Sequence, residues 1–130
     1  MEPLIFGVFR KLFKRNDGRV TKSEADRFIV QQLRAQGADM DRPREVNHYL
    51  YLPSAEASRA AAEALRQQGY SVQEQPAANA DQKPPNPFLV LATSETVLNP
   101  FAVQQFRELF ERLASTHAGE YDGWEAAAKP

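Results

Sequence analysis

The sequence contains no cysteine. A disulfide framework, a thiolate-held metal and a thiol nucleophile are therefore excluded, and packing alone must hold the fold. Histidine is scarce, with only His48 and His117. No apolar run approaches the ~18 residues that a membrane-spanning helix needs. The first residues make a poor signal peptide, because their positive charges follow a short apolar stretch instead of preceding it. There is no glycine-rich phosphate loop, no nucleophile elbow and no metal-ligand spacing, so neither a cofactor nor a metal is expected. No repeat at solenoid spacing is visible.

The sequence has 130 residues, of which 42% are hydrophobic and 25% charged. That suits one core-forming domain with an additional arm. The net charge of −1 conceals an uneven distribution. Residues 1–36 carry eight basic and four acidic side chains, and the remainder carries eight basic and thirteen acidic. A basic arm thus precedes an acidic body, and an acidic body is poorly suited to neutralising phosphates, so direct nucleic-acid binding is not expected. The absence of cysteine is compatible with a cytoplasmic location.

Two helices are expected in the arm. Leu4/Ile5, Val8/Phe9 and Leu12/Phe13 form a stripe over residues 4–15, with Arg10, Lys11, Lys14 and Arg15 mostly outside it, until Asn16-Asp17-Gly18 interrupts. This amphipathic segment has three readings: it packs on the sheet or on a sister subunit, it lies on a membrane surface, or it docks on an acidic partner. A capping box, Thr21-Lys22-Ser23-Glu24, then opens a second helix with Ala25, Phe28, Ile29 and Leu33 as its apolar face and Gly37 at its end. The arm is placed at 1–38 and the main domain at 39–130.

In the main domain Val46–Leu52 reads as a strand, Ala55–Gln68 as an alanine-rich helix closed by Gly69, and Tyr70–Gln75 as a half-exposed strand. Residues 77–87 read as a mobile loop. Phe88–Thr93 reads as a central strand, and Asn99-Pro100 as the start of a helix over Phe101–Thr116 lined by Ala102, Phe106, Leu109, Phe110, Leu113 and Ala114. Gly119 is expected to close that helix, Asp122-Gly123 to form a turn, and Trp124–Ala128 to add a last strand. The order β-α-β-β-α-β implies an α+β, ferredoxin-like sandwich, a four-stranded antiparallel sheet with two helices on one face, preceded by the N-terminal helices.

Chemistry is thinly represented. His48 within a strand and His117 in a helix's last turn read as structural residues. The acid pairs Glu108/Glu111 and Glu120/Asp122 could serve acid–base chemistry or a metal, but Glu108 and Glu111, beside Arg107 and Arg112, read better as a solvated charged face. Alternation sets Asn47, Tyr49 and Tyr51 on one sheet face and Val46, His48, Leu50 and Leu52 on the other. Tyr49 and Tyr51 can serve as a base-stacking platform for RNA or nucleotides, or pack beneath an N-terminal helix or in a dimer interface. Tyr121 and Trp124 can clamp the long helix against the sheet or, as aromatic anchors, meet a partner directly together with Asp122.

The run Asp41-Arg42-Pro43-Arg44-Glu45-Val46-Asn47-His48-Tyr49-Leu50-Tyr51-Leu52 resembles the opening strand of the regulator of ribonuclease E activity B (RraB-like) family. The alanine-rich helix with Gly69-Tyr70-Ser71-Val72, and the ending Gly119-Glu120-Tyr121-Asp122-Gly123-Trp124, are similar to that family's continuation and close. The resemblance runs over roughly residues 39–128. It implies a ferredoxin-like fold and a non-catalytic bacterial protein that binds ribonuclease E and restrains RNA cleavage. The family's best-known type of member is strongly acidic with an acidic C-terminal extension. This sequence is nearly neutral and reads Glu-Ala-Ala-Ala-Lys-Pro after Trp124. Tyr49, Tyr51, Tyr121, Asp122 and Trp124 are the candidate partner-binding residues, and a homo-oligomer is open.

Overall fold

The computed structural model describes residues 21–77 and 86–127. The amphipathic segment 4–15, most of the 77–87 loop and Ala128 lie outside the described residues. Helix α1 spans Lys22–Ala35. Strand β1 (Arg44–Leu52), helix α2 (Ala55–Gln67), strands β2 (Ser71–Pro76) and β3 (Phe88–Thr96), helix α3 (Pro100–Thr116) and strand β4 (Glu120–Ala126) follow. The described residues form an α+β structure with a four-stranded sheet of order β2-β3-β1-β4, every neighbouring pair antiparallel.

Local signals start the helices where the sequence places them. Thr21 accepts from the Glu24 amide while the Glu24 carboxylate receives the Thr21 amide, a complete capping box. Ser54 caps α2 through the Ala57 amide, and Asn99 caps α3 through the Ala102 amide with Pro100 in the first turn. Strands β1 and β3 run longer than expected, while β2 is shifted by one residue. Pairing of β1 with β3 extends from Arg44↔Thr96 to Leu52↔Phe88, because ladder hydrogen bonds carry polar ends that hydrophobic alternation does not mark.

One core joins the three helices to the sheet. Ala25, Ile29 and Leu33 of α1 lie in the same buried cluster as Val46, Leu50 and Leu52 of β1, Ala61, Ala62 and Leu65 of α2, and Phe106, Phe110 and Leu113 of α3. Small residues on α2 let its backbone lie close to the sheet. Burying this apolar surface is the main favourable term for a chain without cross-links, at about 25 cal/mol per Å².

The end of the chain differs from its expectation in a way that matters. Asp122-Gly123 is not a turn before a strand but lies inside β4. Tyr49 pairs with Gly123 and the next residue, Leu50, pairs with Tyr121, so Asp122 is an extra residue in the ladder. Such a bulge resets the alternation of side chains. Tyr121 and Trp124, three apart, would face opposite sides of a regular strand. Here both are buried on the helix side. Gly123 adopts φ of 105°, where an L side chain is strained. Gly123→Ala is expected to cost about 1–3 kcal/mol by urea denaturation. A loss under ~0.5 kcal/mol would show that the bulge does not need glycine.

Closure of α3 also differs. The left-handed residue after it is Ala118, with φ of 57°, and not Gly119. Gly119 is required for space: a Cβ there would run into the Tyr51 carbonyl oxygen and lie 2.7 Å from Leu52 Cδ2.

Candidate partner-binding site

The sheet divides the candidate residues between two environments. On its helix side, His48 is fully enclosed. Its ring stacks on Phe110 at 4.3 Å between centroids and meets Phe106 edge-on at 4.7 Å. Its Nδ1 shares a 2.8 Å hydrogen bond with the Tyr121 hydroxyl, while its Nε2 has no hydrogen-bond partner among the described residues. Burial, helped by the positive Arg107, lowers its pKa to about 3. His48 is therefore neutral at pH 7 and out of reach of solvent. The expectation that it is structural fits this environment. His117 is the C-cap of α3 and half-buried.

Tyr121 stacks on Phe110 at 4.9 Å, and burial pushes its hydroxyl well above the ordinary tyrosine pKa. Trp124 is 0% exposed, packs against Phe106 at 5.5 Å and donates from Nε1 to Asp26 Oδ1 at 2.9 Å. Both aromatics thus hold α3 against β4, and Trp124 extends the clamp to α1. A partner could touch Trp124 only if the fold opened.

Asp26 and Arg107 form the centre of this region. The Arg107 guanidinium donates from Nε to Asp26 Oδ2 at 3.0 Å and from Nη2 to Oδ1 at 2.7 Å, a bidentate pair with both side chains buried. Its Nη1 bonds Glu111 at 2.8 Å, and Lys22 reaches the same carboxylate oxygen at 2.7 Å. Its Cζ lies 4.7 Å from the centre of the Tyr121 ring. Burial works against the Arg107 charge, but the hydrogen bond to Asp26 and the surrounding groups outweigh it and leave its pKa raised.

The expected solvated face of Glu108 and Glu111 beside Arg107 and Arg112 is found for Glu108 and Arg112, which are exposed, and is corrected for Arg107 and Glu111. Arg107 is buried and Glu111 only partly exposed, because α1 packs over this side of α3 and supplies Asp26. Asp26 and Arg107 were not among the candidates. The only signal in the sequence was an acid at Asp26 set between Ala25 and Ile29 of the apolar stripe.

The opposite face carries Tyr49 and Tyr51. Tyr51 forms a small second cluster with Ala77 and Leu89, with Tyr49 packed against it, and no residue of the three helices joins. The Tyr49 hydroxyl donates to Glu125 Oε1 at 2.6 Å, Asn47 approaches the same oxygen at 3.4 Å, and Thr93 donates to Asn47 Oδ1 at 2.8 Å. Asp122 is half-buried at the bulge, and Glu120 is exposed. Tyr49 and Asp122 are thus the candidates with solvent access, Tyr51 is nearly closed, and Tyr121 and Trp124 lie beneath them.

Two clefts open beside the helices. One of about 730 Å³ lies between α1 and α3 and is lined by Arg27, Val30, Arg34, Met40, Val103 and Glu108 among others. The second, about 450 Å³, is lined by Tyr70, Thr96, Gln105, Phe106 and Arg112 among others. Neither is lined by a histidine, and His48 and Tyr49 point to opposite faces, so the two do not meet in a pocket with an acid. Among the described residues no group of three or more histidines and acids is placed to hold a metal, and no helix is long and apolar enough to cross a membrane.

A comparison with curated proteins finds no match. The family described as regulator of ribonuclease activity B does match, over residues 23–126, an interval that opens in the first turn of α1 and ends with β4. The matched interval includes α1, although the residues that carry the resemblance in the sequence begin only near Asp39. Covering most of the sequence and every strand of the sheet, this match makes the chain a member of the regulator of ribonuclease activity B family.

Proposed function

We propose that the chain is a non-catalytic regulator that binds ribonuclease E and restrains RNA cleavage by contact. The observation that carries this reading is the family match across all four strands and nearly the whole of α1. The state of the ionisable groups supports it. His48 is neutral and enclosed, and Asp26 and Arg107 are committed to each other, so the strongest electrostatic interactions serve packing. The strand order β2-β3-β1-β4 with two β-α-β halves supports a ferredoxin-like assignment. A ribonuclease partner would also fit a cytoplasmic location.

On this reading the contact surface is the sheet face bearing Tyr49 and Tyr51, together with Asp122 at the bulge of the edge strand, and Tyr121 and Trp124 act from behind by fixing β4. A tyrosine platform for RNA is disfavoured by the same geometry. The Tyr49 hydroxyl is bonded to Glu125, which sets a carboxylate where a stacked nucleotide would bring phosphate. Labelled single-stranded RNA at low salt is expected to show no anisotropy change with this chain.

The test is binding of the purified chain to its host's ribonuclease E, with Asp122→Lys as the variant. Asp122 is half-buried at an irregular point of β4, so reversing its charge is expected to weaken binding at least ~10-fold, the effect of ~1.4 kcal/mol. The thermal midpoint of the variant is read alongside, so that binding lost with the fold intact is told from unfolding. Absence of binding by the wild type would sink the proposal. Normal binding by the variant would move the contact off this face.

A further inference from the structure

The sheet face away from the helices is unusual for a surface that meets water. Such faces alternate toward polar residues. Here the register sets Tyr49 opposite Leu91 and Tyr51 opposite Leu89, an apolar block on the two central strands. Acids frame it. Glu45 and Glu95 pair directly across the ladder and are both exposed, a like-charge pair that is unfavourable unless a cation meets it. Glu120 is exposed on β4. Glu125, 5% exposed, is met by the two hydrogen bonds from Tyr49 and Asn47 and by no cation among the described residues. The four strands contain one Lys or Arg in all, Arg44. It lies on the helix side of the register and bonds the carbonyls of Ala127 and Asp39.

Residues 1–20 have the complementary pattern. Leu4, Ile5, Val8, Phe9, Leu12 and Phe13 supply an apolar stripe, and Arg10, Lys11, Lys14 and Arg15 supply flanking cations. As a helix, residues 4–15 would be about 18 Å long. The segment is also attached at the right place. Thr21 caps α1, and Asp26, little more than a turn further on, bonds Trp124 of β4, which is an edge strand. Residues 16–20 can span up to about 17 Å from there. The cleft between α1 and α3 is the competing seat; its acids Asp26, Asp41 and Glu108 are matched by Arg27, Arg34 and Arg107, so unlike the sheet face it offers cations no excess of negative charge.

We propose that residues 4–15 dock in cis on the tyrosine–leucine face of the sheet, stripe inward and cations toward Glu45, Glu95 and Glu120. The contact makes a third layer of the sandwich. It also makes the face conditional: a partner that uses Tyr49 and Asp122 must displace the chain's own basic segment. The docking itself does not depend on which partner that is.

The absence of cysteine makes cross-linking a clean test in the full chain. Phe9→Cys is combined with Leu91→Cys in one protein and with Val30→Cys in a second, and both are oxidised at low micromolar concentration. The expected result is an intramolecular disulfide that forms at least ~10-fold faster in the Leu91 pair. Faster closure in the Val30 pair, or only intermolecular disulfides, overturns the proposal; the latter would assign the face to a second copy. Should the variants fold poorly, the unmodified chain still decides by nuclear Overhauser contacts. Contacts of the Phe9 ring to the Leu91 methyls are expected, and contacts to Val30, or to neither, overturn it.

Discussion

Arg107→Ala is expected to remove about 3–5 kcal/mol of stability, because it leaves the Asp26 carboxylate buried with its charge uncompensated. A domain of this size has roughly 5–15 kcal/mol in all. The loss should appear as a large drop in urea midpoint at a nearly unchanged slope. The asymmetry between breaking the pair and replacing it is the sharper part of the expectation. The buried pair is costly to desolvate, so Asp26→Leu with Arg107→Met should recover much of what the single change loses. Arg112→Ala, five residues along the same helix at an exposed position, is the control and should stay within about 0.5 kcal/mol. If Arg107→Ala costs no more than Arg112→Ala, the ion pair is not the joint between α1, α3 and β4 described above.

Stability should also fall steeply on mild acidification, through His48. Its folded pKa, about 3, lies below the unfolded value of 6.5. Between those two values the unfolded chain binds a proton that the folded chain refuses. Unfolding therefore takes up protons, and stability declines as pH falls through the window. The slope for one such group is about 1.4 kcal/mol per pH unit, or roughly 2–3 kcal/mol between pH 6.5 and 4.5. Above about pH 7.5, a unit beyond the unfolded value, this contribution is flat. His48→Gln, which cannot titrate, should flatten the window relative to wild type. An unchanged slope in that variant, or an imidazole in the wild type that protonates near pH 6 by NMR, would contradict the buried neutral state.

The fold was legible in the sequence where a signal is local. The capping box at Thr21, the Asn99-Pro100 start and the central strand at Phe88 each announce themselves within a few residues. What was not legible depends on pairing across the chain. Asp122-Gly123 has the composition of a turn, and only the register against Tyr49 and Leu50 reveals a bulge that turns Tyr121 and Trp124 to one side. Arg107 has neighbours that suit a solvated helix face. Its burial follows from α1, 81 residues earlier in the chain, and no periodicity within α3 encodes that. The same holds for α1 itself. Its apolar stripe was readable, but not that it would share the core of the sheet.

Of the five candidate contact residues, the two tyrosines of β1 were assigned to their face by alternation alone, and the structure agrees. Tyr121 and Trp124 were singled out for aromatic identity, which serves cores and interfaces equally well. Depth in the fold separates these roles, and depth cannot be read from a tetrapeptide. The aromatics of the motif that best identifies the family thus serve packing, and Asp122 sits half-buried at its bulge.

The most direct test of the regulatory reading is the rate at which the host's ribonuclease E cleaves a model RNA at rising concentrations of the chain. The rate is predicted to fall and then saturate, while the chain alone cleaves nothing. A rate that stays constant, with no complex formed at the highest concentration, would contradict it.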